Sequence, residues 1–148
     1  MLYTVGEMAK LLGVAASTLR YYDKEGLLPF VKRTDGGMRM FRDEDYEWLK
    51  TIECMKKTGM PLKDIREYIM MAMRGDETLE QRLDMIKKQQ ESVAQQIKEL
   101  KEMSDALDFK CWYYETAIQA GTAAVPRDMT DEEIPPRFVE VRKKLKNG

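Results

Sequence analysis

Three large polar-tipped residues, Arg20, Tyr21 and Tyr22, occupy consecutive positions in "TLRYYDKEGLLP" (18–29), a segment that reads as a short helix. Helical neighbours point in different directions, so these three cannot all serve one core. A guanidinium can read guanine in bidentate fashion, while hydroxyl and ammonium groups hold phosphate. Just downstream, "PFVKRTDGGMRMF" (29–41) and Arg42 add Lys32, Arg33 and Arg39 to the basic set. A different chemistry is open to Cys54. Its helical neighbours Lys50, Thr51, Lys57 and Thr58 form a polar face, and lysines beside a thiol suit reaction with oxidants or electrophiles.

Other chemistries are argued against. The chain has no histidine, which removes the commonest general base and metal ligand and leaves no Ser-His or Cys-His pair. Cys54 and Cys111 lack the close spacing of a thiolate zinc site. No glycine-rich phosphate loop is present. The expectation is a non-enzyme without metal or cofactor. The longest apolar runs are a few residues, too short to span a membrane. The start "MLYTVGEMAK" lacks the pattern of a secretory signal, so a cytoplasmic protein is expected.

Net charge is −1, which excludes an all-over basic coat, but the charge is unevenly placed. Residues 1–42 hold seven Lys/Arg against four Asp/Glu, and residues 75–148 hold twelve against fifteen. A basic head on an acidic remainder can bind phosphate locally.

The elements that must position these residues follow from periodicity. In "YTVGEMAKLLGV" (3–14), Val5, Met8, Leu11 and Leu12 fall at helical spacing, with Thr4 and Glu7 placed as a capping box and Gly13 as the stop. A second helix carries Leu19 and Tyr22 on one face, with Arg20, Tyr21 and Lys24 on others, and ends at Gly26. Two short helices joined by a glycine-containing turn form a helix-turn-helix. "FVKR" and "MRMF" then read as short strands joined by "TDGG", a basic hairpin. A third helix starts at the acidic Asp43, Glu44 and Asp45 and ends before Gly59, with Tyr46, Leu49, Ile52 and Met55 inward. Pro61 suits the first turn of a fourth, with Leu62, Ile65, Tyr68 and Ile69 inward.

Beyond Gly75 the apolar spacing alternates by four and three: Leu79, Leu83, Ile86, Gln90, Val93, Ile97, Leu100, Ser104, Leu107, Cys111, Tyr114 and Ile118. This heptad seam, closed by Gly121, predicts one helix of about 65 Å at 1.5 Å per residue. A head of some 70 residues cannot cover such a seam, so a second chain is expected to. The flanking charges leave the strand direction open.

"YTVGEMAKLLGVAASTLRYYDKEGLL", a basic hairpin ending "GMRMF", "KTGMPLKDI" and a long helix together resemble the MerR family of transcriptional regulators, over residues 2–73 of the head and in overall layout. The resemblance implies a mainly α fold in three parts. These are a winged helix-turn-helix head with a small β-hairpin wing (1–74), a long antiparallel coiled-coil dimerisation helix (75–120) and a short tail (121–148). It implies a homodimer on a near-palindromic operator in double-stranded promoter DNA, where an effector triggers a distortion that lets RNA polymerase use the promoter. It places Thr4, Ser17, Thr18, Arg20, Tyr21, Tyr22, Lys24, Arg33, Arg39 and Lys56 at the DNA. In the family the match to Arg20 enters the major groove, those to Tyr21, Tyr22 and Lys56 grip phosphate near the distorted centre, and Arg39 matches the wing arginine.

Pattern alone leaves some of these roles open. Tyr22 shares a face with Leu19 and can be part of the core, Lys56 can be a solvated helix-end charge, and alternation puts Arg39 on the same face as Phe41. Family members often have Ser or Thr where this chain has Ala15 and Ala16, so the recognition helix is expected to be capped by Ser17 alone or only weakly.

The tail is too short for the separate drug-binding domain of multidrug members. Gln119 stands where metal-sensing branches place a second cysteine after one near Cys111, which is itself expected as a small buried hydrophobe in the seam. A thiol-based branch responsive to aldehydes and nitrosative stress has one cysteine in the helix of Cys54, and "DFKCWYYETAIQAG" is similar to that branch. Cys54 is therefore the candidate sensor, with "KCWYYE" (110–115) as an aromatic ligand pocket the other possibility and the inducer itself unidentified. Two further functional readings are a non-sensing architectural or excisionase-like DNA-binding protein and a coiled-coil adaptor whose head binds protein.

Overall fold

The computed structural model describes residues 1–147. In chain order these form β1 (Leu2–Tyr3), α1 (Val5–Leu12), α2 (Ala16–Lys24), β2 (Lys32–Arg33), β3 (Arg39–Arg42), α3 (Asp43–Lys57) and α4 (Leu62–Met73). A 3-10 turn (Asp76–Thr78), α5 (Leu79–Ala120), α6 (Ala124–Asp128), a second 3-10 turn (Pro136–Phe138) and α7 (Val139–Asn147) complete the chain. The mainly helical class, the small wing and the long C-terminal helix agree with expectation. Two compact units result, Met1–Val93 and the chain from Ala94 onward.

In the first unit, α1 begins with the expected capping box. Thr4 Oγ1 accepts from the Glu7 amide at 3.2 Å, and Glu7 Oε2 accepts from the Thr4 amide at 2.8 Å. Gly13, at φ +72°, ends α1 in the left-handed region that a side chain enters only at a cost. The Val14 amide donates back to the Ala9 carbonyl, and the chain turns into α2. Strand order is β1-β3-β2, all antiparallel, with Tyr3 opposite Phe41 and Arg33 opposite Arg39. Thr34 and Met38 close the hairpin through a 2.7 Å bond from the Thr34 amide to the Met38 carbonyl. The wing is thus a three-stranded sheet, its extra strand supplied by residues 2–3, and "FVKR" contributes only Lys32 and Arg33. Phe30 instead packs on Trp48, ring centroids 6.0 Å apart.

Met8, Leu19, Tyr22, Leu27, Phe41, Leu49, Ile52 and Ile65 form the buried heart of this unit. The α4–α5 elbow is held by Thr78, fully buried, whose hydroxyl bonds to the carbonyls of Met71 (2.6 Å) and Gly75 (2.9 Å). Arg82 donates to Thr78 Oγ1 and to the Gly75 carbonyl. Further along α5, Gln89 Nε2 donates to both the carbonyl and the hydroxyl oxygen of Thr58. The start of α5 therefore belongs to the head.

The second unit folds the tail onto the end of α5. Phe109, Ile134 and Phe138 are buried together, with Trp112 and Tyr113 against them. Arg142 is buried, bonded to the Met129 carbonyl at 2.7 Å and ion-paired with Asp131. That pairing holds the Asp131 carboxyl below its usual pKa, chiefly through the hydrogen bond from Arg142. Trp112 and Tyr113 both pack on the Phe109 ring, and Trp112 also on Phe138. Cys111, expected in a buried seam, is exposed in the single chain.

Candidate nucleic-acid interface

Successive residues of α2 are rotated by about 100°. Positions 17, 20, 21 and 24 therefore fall within one stripe, and all four (Ser17, Arg20, Tyr21 and Lys24) are exposed. Leu19 and Tyr22 lie on the opposite side, buried against the core, with Thr18 half-buried between the faces. The helix thus sorts its polar-tipped residues by periodicity: one tyrosine goes to water and its neighbour goes to the core. Among the described residues neither Arg20 nor Lys24 has an ion-pair partner, so a guanidinium and an ammonium stand free on the same stripe.

Tyr22, which the resemblance assigns to phosphate, lies in the core of the DNA-free chain. Its side chain is fully buried, and its hydroxyl donates to the Glu53 carboxylate on α3. Burial, then that hydrogen bond, pushes the phenol pKa well above its usual value. In this geometry the hydroxyl ties α2 to α3. Lys56 stands beside it, its ammonium 5.1 Å from the centre of the Tyr22 ring, exposed and without an ion-pair partner among the described residues. A cation–π contact of this kind fixes where the charge sits.

Ser17 lies one residue inside α2. The N-cap is Ala15, which offers no side-chain bond, so of the two expectations it is weak capping that the helix shows. Thr4 has its oxygen engaged as the cap of α1.

The wing arginines have definite partners. Asp23, on the last turn of α2, ion-pairs through Oδ2 with Arg39 and, at 3.2 Å, with Arg33, which also donates to the Gly37 carbonyl at the hairpin turn. Arg39 is largely buried, its side chain 21% exposed, whereas that of Arg33 is 54% exposed. Arg42 is neutralised by Glu44 and by the buried Asp45. Lys32, on the wing strand, is exposed and has no ion-pair partner among the described residues. Asp23 and Glu53, the two acids that organise this surface, were not singled out by motif or composition. A signal was nevertheless present for Asp23, an acid flanked in sequence by Arg20 and Lys24.

On another side of α3, Cys54 lies exposed at the edge of a groove of about 430 Å³. Met55, Met60, Tyr68, Ile86 and Val93 supply its apolar lining, with Thr51, Gln89 and Gln90 adding polar groups. Lys50 and Lys57 do not line this groove, and the Lys50 ammonium lies over the Tyr46 ring instead. On its groove side Cys54 therefore meets apolar and amide groups.

Comparison with known proteins now bears on this surface. The model for the MerR HTH family regulatory protein matches residues 3–71, and the MerR DNA-binding model matches 46–108. An HTH-type transcriptional regulator of Haemophilus influenzae is 44% identical over 122 residues, 82% of this chain and 90% of that relative. The chain belongs to the MerR family. A crystal structure of HiNmlR, described as a MerR family regulator lacking the sensor domain and bound to promoter DNA, superposes with a TM-score of 0.76 at 43% identity, covering 84% of this chain and 99% of that one. The regulator AdhR of Bacillus subtilis is 39% identical over 82 residues, 55% of this chain and 59% of that protein. The chain is a DNA-binding transcriptional regulator and not an enzyme. No helix among the described residues is long and apolar enough to cross a membrane.

Proposed function

We propose that this regulator binds a near-palindromic promoter operator as a homodimer and acts on RNA polymerase through effector-dependent distortion of the DNA. The observation that carries the reading is the exposed stripe of Ser17, Arg20, Tyr21 and Lys24 beside a basic wing. This is the arrangement of a recognition helix and its phosphate-gripping flank. Arg20 reads base edges, and Tyr21, Lys24, Lys32, Arg33 and Lys56 hold backbone. Distorting the duplex costs several kcal/mol, which phosphate contacts on both sides of the centre must supply.

Dimerisation is supported by α5. Leu79, Leu83, Ile86, Ile97, Leu100, Leu107, Tyr114 and Ile118 are all exposed along this 42-residue helix, a length of apolar stripe that a single chain leaves in water. By role, 1–74 reads DNA, 75–120 pairs with a second copy and 121–148 closes the end of the long helix. Cys54 is the proposed thiol sensor, supported by its exposure at the mouth of the groove. Promoter DNA in the HiNmlR structure supports the DNA partner, and a cytoplasmic site of action goes with it.

The test is a footprint on the region upstream of the protein's own gene, with reduced and with aldehyde-treated protein. Two symmetric protected half-sites are expected, with treatment altering cleavage at the centre and not at the edges. Leu107→Lys should give monomers in sedimentation and lose the two-fold footprint. Treatment effects that persist unchanged in Cys54→Ser would remove Cys54 as sensor and favour another effector or the non-sensing architectural reading. Absence of protection on every fragment from an operator selection would leave the adaptor reading.

A further inference from the structure

We infer that Asp23 is a positioning residue that sets the wing against the recognition helix, and that Arg39 acts on DNA only through it, leaving Arg33 as the wing's phosphate donor. Arg33 and Arg39 are cross-strand partners, so their guanidiniums emerge side by side and would repel each other. A single carboxylate oxygen, Asp23 Oδ2, receives an Nη2 from both and joins the two strands to the last turn of α2. Arg33 adds a 3.2 Å bond to the Gly37 carbonyl, so the hairpin turn is held by the same group. With one negative charge against two positive ones, the clamp keeps a net positive charge.

That charge is unequally available. Arg39 is 21% exposed and its Nε is buried without a partner, a side chain committed to the interior of the contact. Arg33 is 54% exposed and can meet a phosphate while staying bonded to Asp23. The clamp sits one residue from Lys24 on the reading stripe. It therefore fixes the spacing between the group reading bases and the group holding backbone, a spacing that small displacements would spoil.

The inference rests on the DNA-binding reading of this surface, but not on the operator, because salt dependence is measurable on any duplex the protein binds. Kd is measured against salt by fluorescence anisotropy for wild type, Arg33→Gln, Arg39→Gln, Asp23→Asn and Asp23→Asn/Arg39→Gln. Arg33→Gln should lower the slope of log K against log salt by about 0.9, the loss of one phosphate contact. Arg39→Gln and Asp23→Asn should each weaken binding on the order of tenfold with the slope unchanged, and the double variant should be no worse than Asp23→Asn alone, as groups acting through one contact are non-additive.

A purely structural role would instead lower the unfolding temperature and leave affinity intact at temperatures where the variant is folded. An Arg39→Gln slope reduced as far as that of Arg33→Gln, with additive losses in the double variant, would place Arg39 on phosphate and overturn the inference. Should Asp23→Asn fail to fold, the two single-arginine slopes decide. Wild-type protein that binds no duplex at all would refute the DNA-binding reading itself.

Discussion

Removing one oxygen atom, in Tyr22→Phe, separates the two roles that residue 22 can have. The ring is fully buried and its hydroxyl donates to the carboxylate of Glu53, which is half-buried. A hydrogen bond to a charged group contributes about 1.5–3 kcal/mol, and water can partly replace the donor at Glu53, so a loss of about 1–2 kcal/mol is expected. For a unit of this size that corresponds to a fall in unfolding temperature of roughly 4–16 °C. The ring and the cation–π contact of Lys56 are retained, so packing and DNA affinity should change little at temperatures where the protein is folded.

The alkaline limb of stability gives a second readout. The phenol pKa is raised on folding, so the proton is held more tightly in the native state; stability is complete below the ordinary value near 10 and falls as pH rises beyond it. Tyr22→Phe should remove that part of the alkaline loss. Thermal unfolding by circular dichroism between pH 7 and 11, with anisotropy titrations on operator DNA at 20 °C, measures both effects. If Tyr22→Phe kept its unfolding temperature but lost tenfold or more in affinity, the hydroxyl would be a DNA ligand and its burial here would not describe the bound state.

Arg20→Ala should cost about 1–3 kcal/mol of operator affinity and flatten the preference for one base step, read by binding to a panel of single-substituted operators. Thr78→Val keeps the shape of the elbow but leaves the Met71 and Gly75 carbonyls and the Arg82 guanidinium without their shared partner; a stability loss of about 1–3 kcal/mol is expected in urea unfolding. The Asp131 carboxyl has its pKa lowered by Arg142, so its contribution is present above about pH 4 and is lost as pH falls through the lowered value. Asp131→Asn should abolish that acid dependence in the tail, followed by the fluorescence of Trp112.

What could be read from the residues was set by local rules. The Thr4–Glu7 capping box, the stop at Gly13, the TDGG turn and the heptad spacing of α5 each depend on residues within a few positions of one another, and each appears in the fold. The reading weakened wherever a partner lay far along the chain. Residues 2–3 have no strand signal of their own and become a strand because β3 offers an edge. Helical periodicity put Tyr22 on the face of Leu19, yet only Glu53, thirty-one positions away, determines what its hydroxyl does. Similarly, the spacing of "MRMF" could not say whether Arg39 faces out, because Asp23 on another element captures it. The core that the tail builds on the end of α5 was not legible. Phe109 and Trp112 have no periodicity that announces Phe138 as their neighbour.

The unpartnered stripe of α5 has a thermodynamic consequence. Ile97, Leu100, Leu107 and Ile118 lie in water in the single chain, so in the proposed dimer their burial would tie the stability of the helix to association. With a second copy along that stripe, folding and pairing become one equilibrium, and dilution acts as a denaturant: each tenfold drop in concentration removes about 1.4 kcal/mol per dimer. The unfolding temperature then rises with the amount of protein present. The level to which a cell makes this regulator would set both how many operators are filled and how much of the regulator is folded.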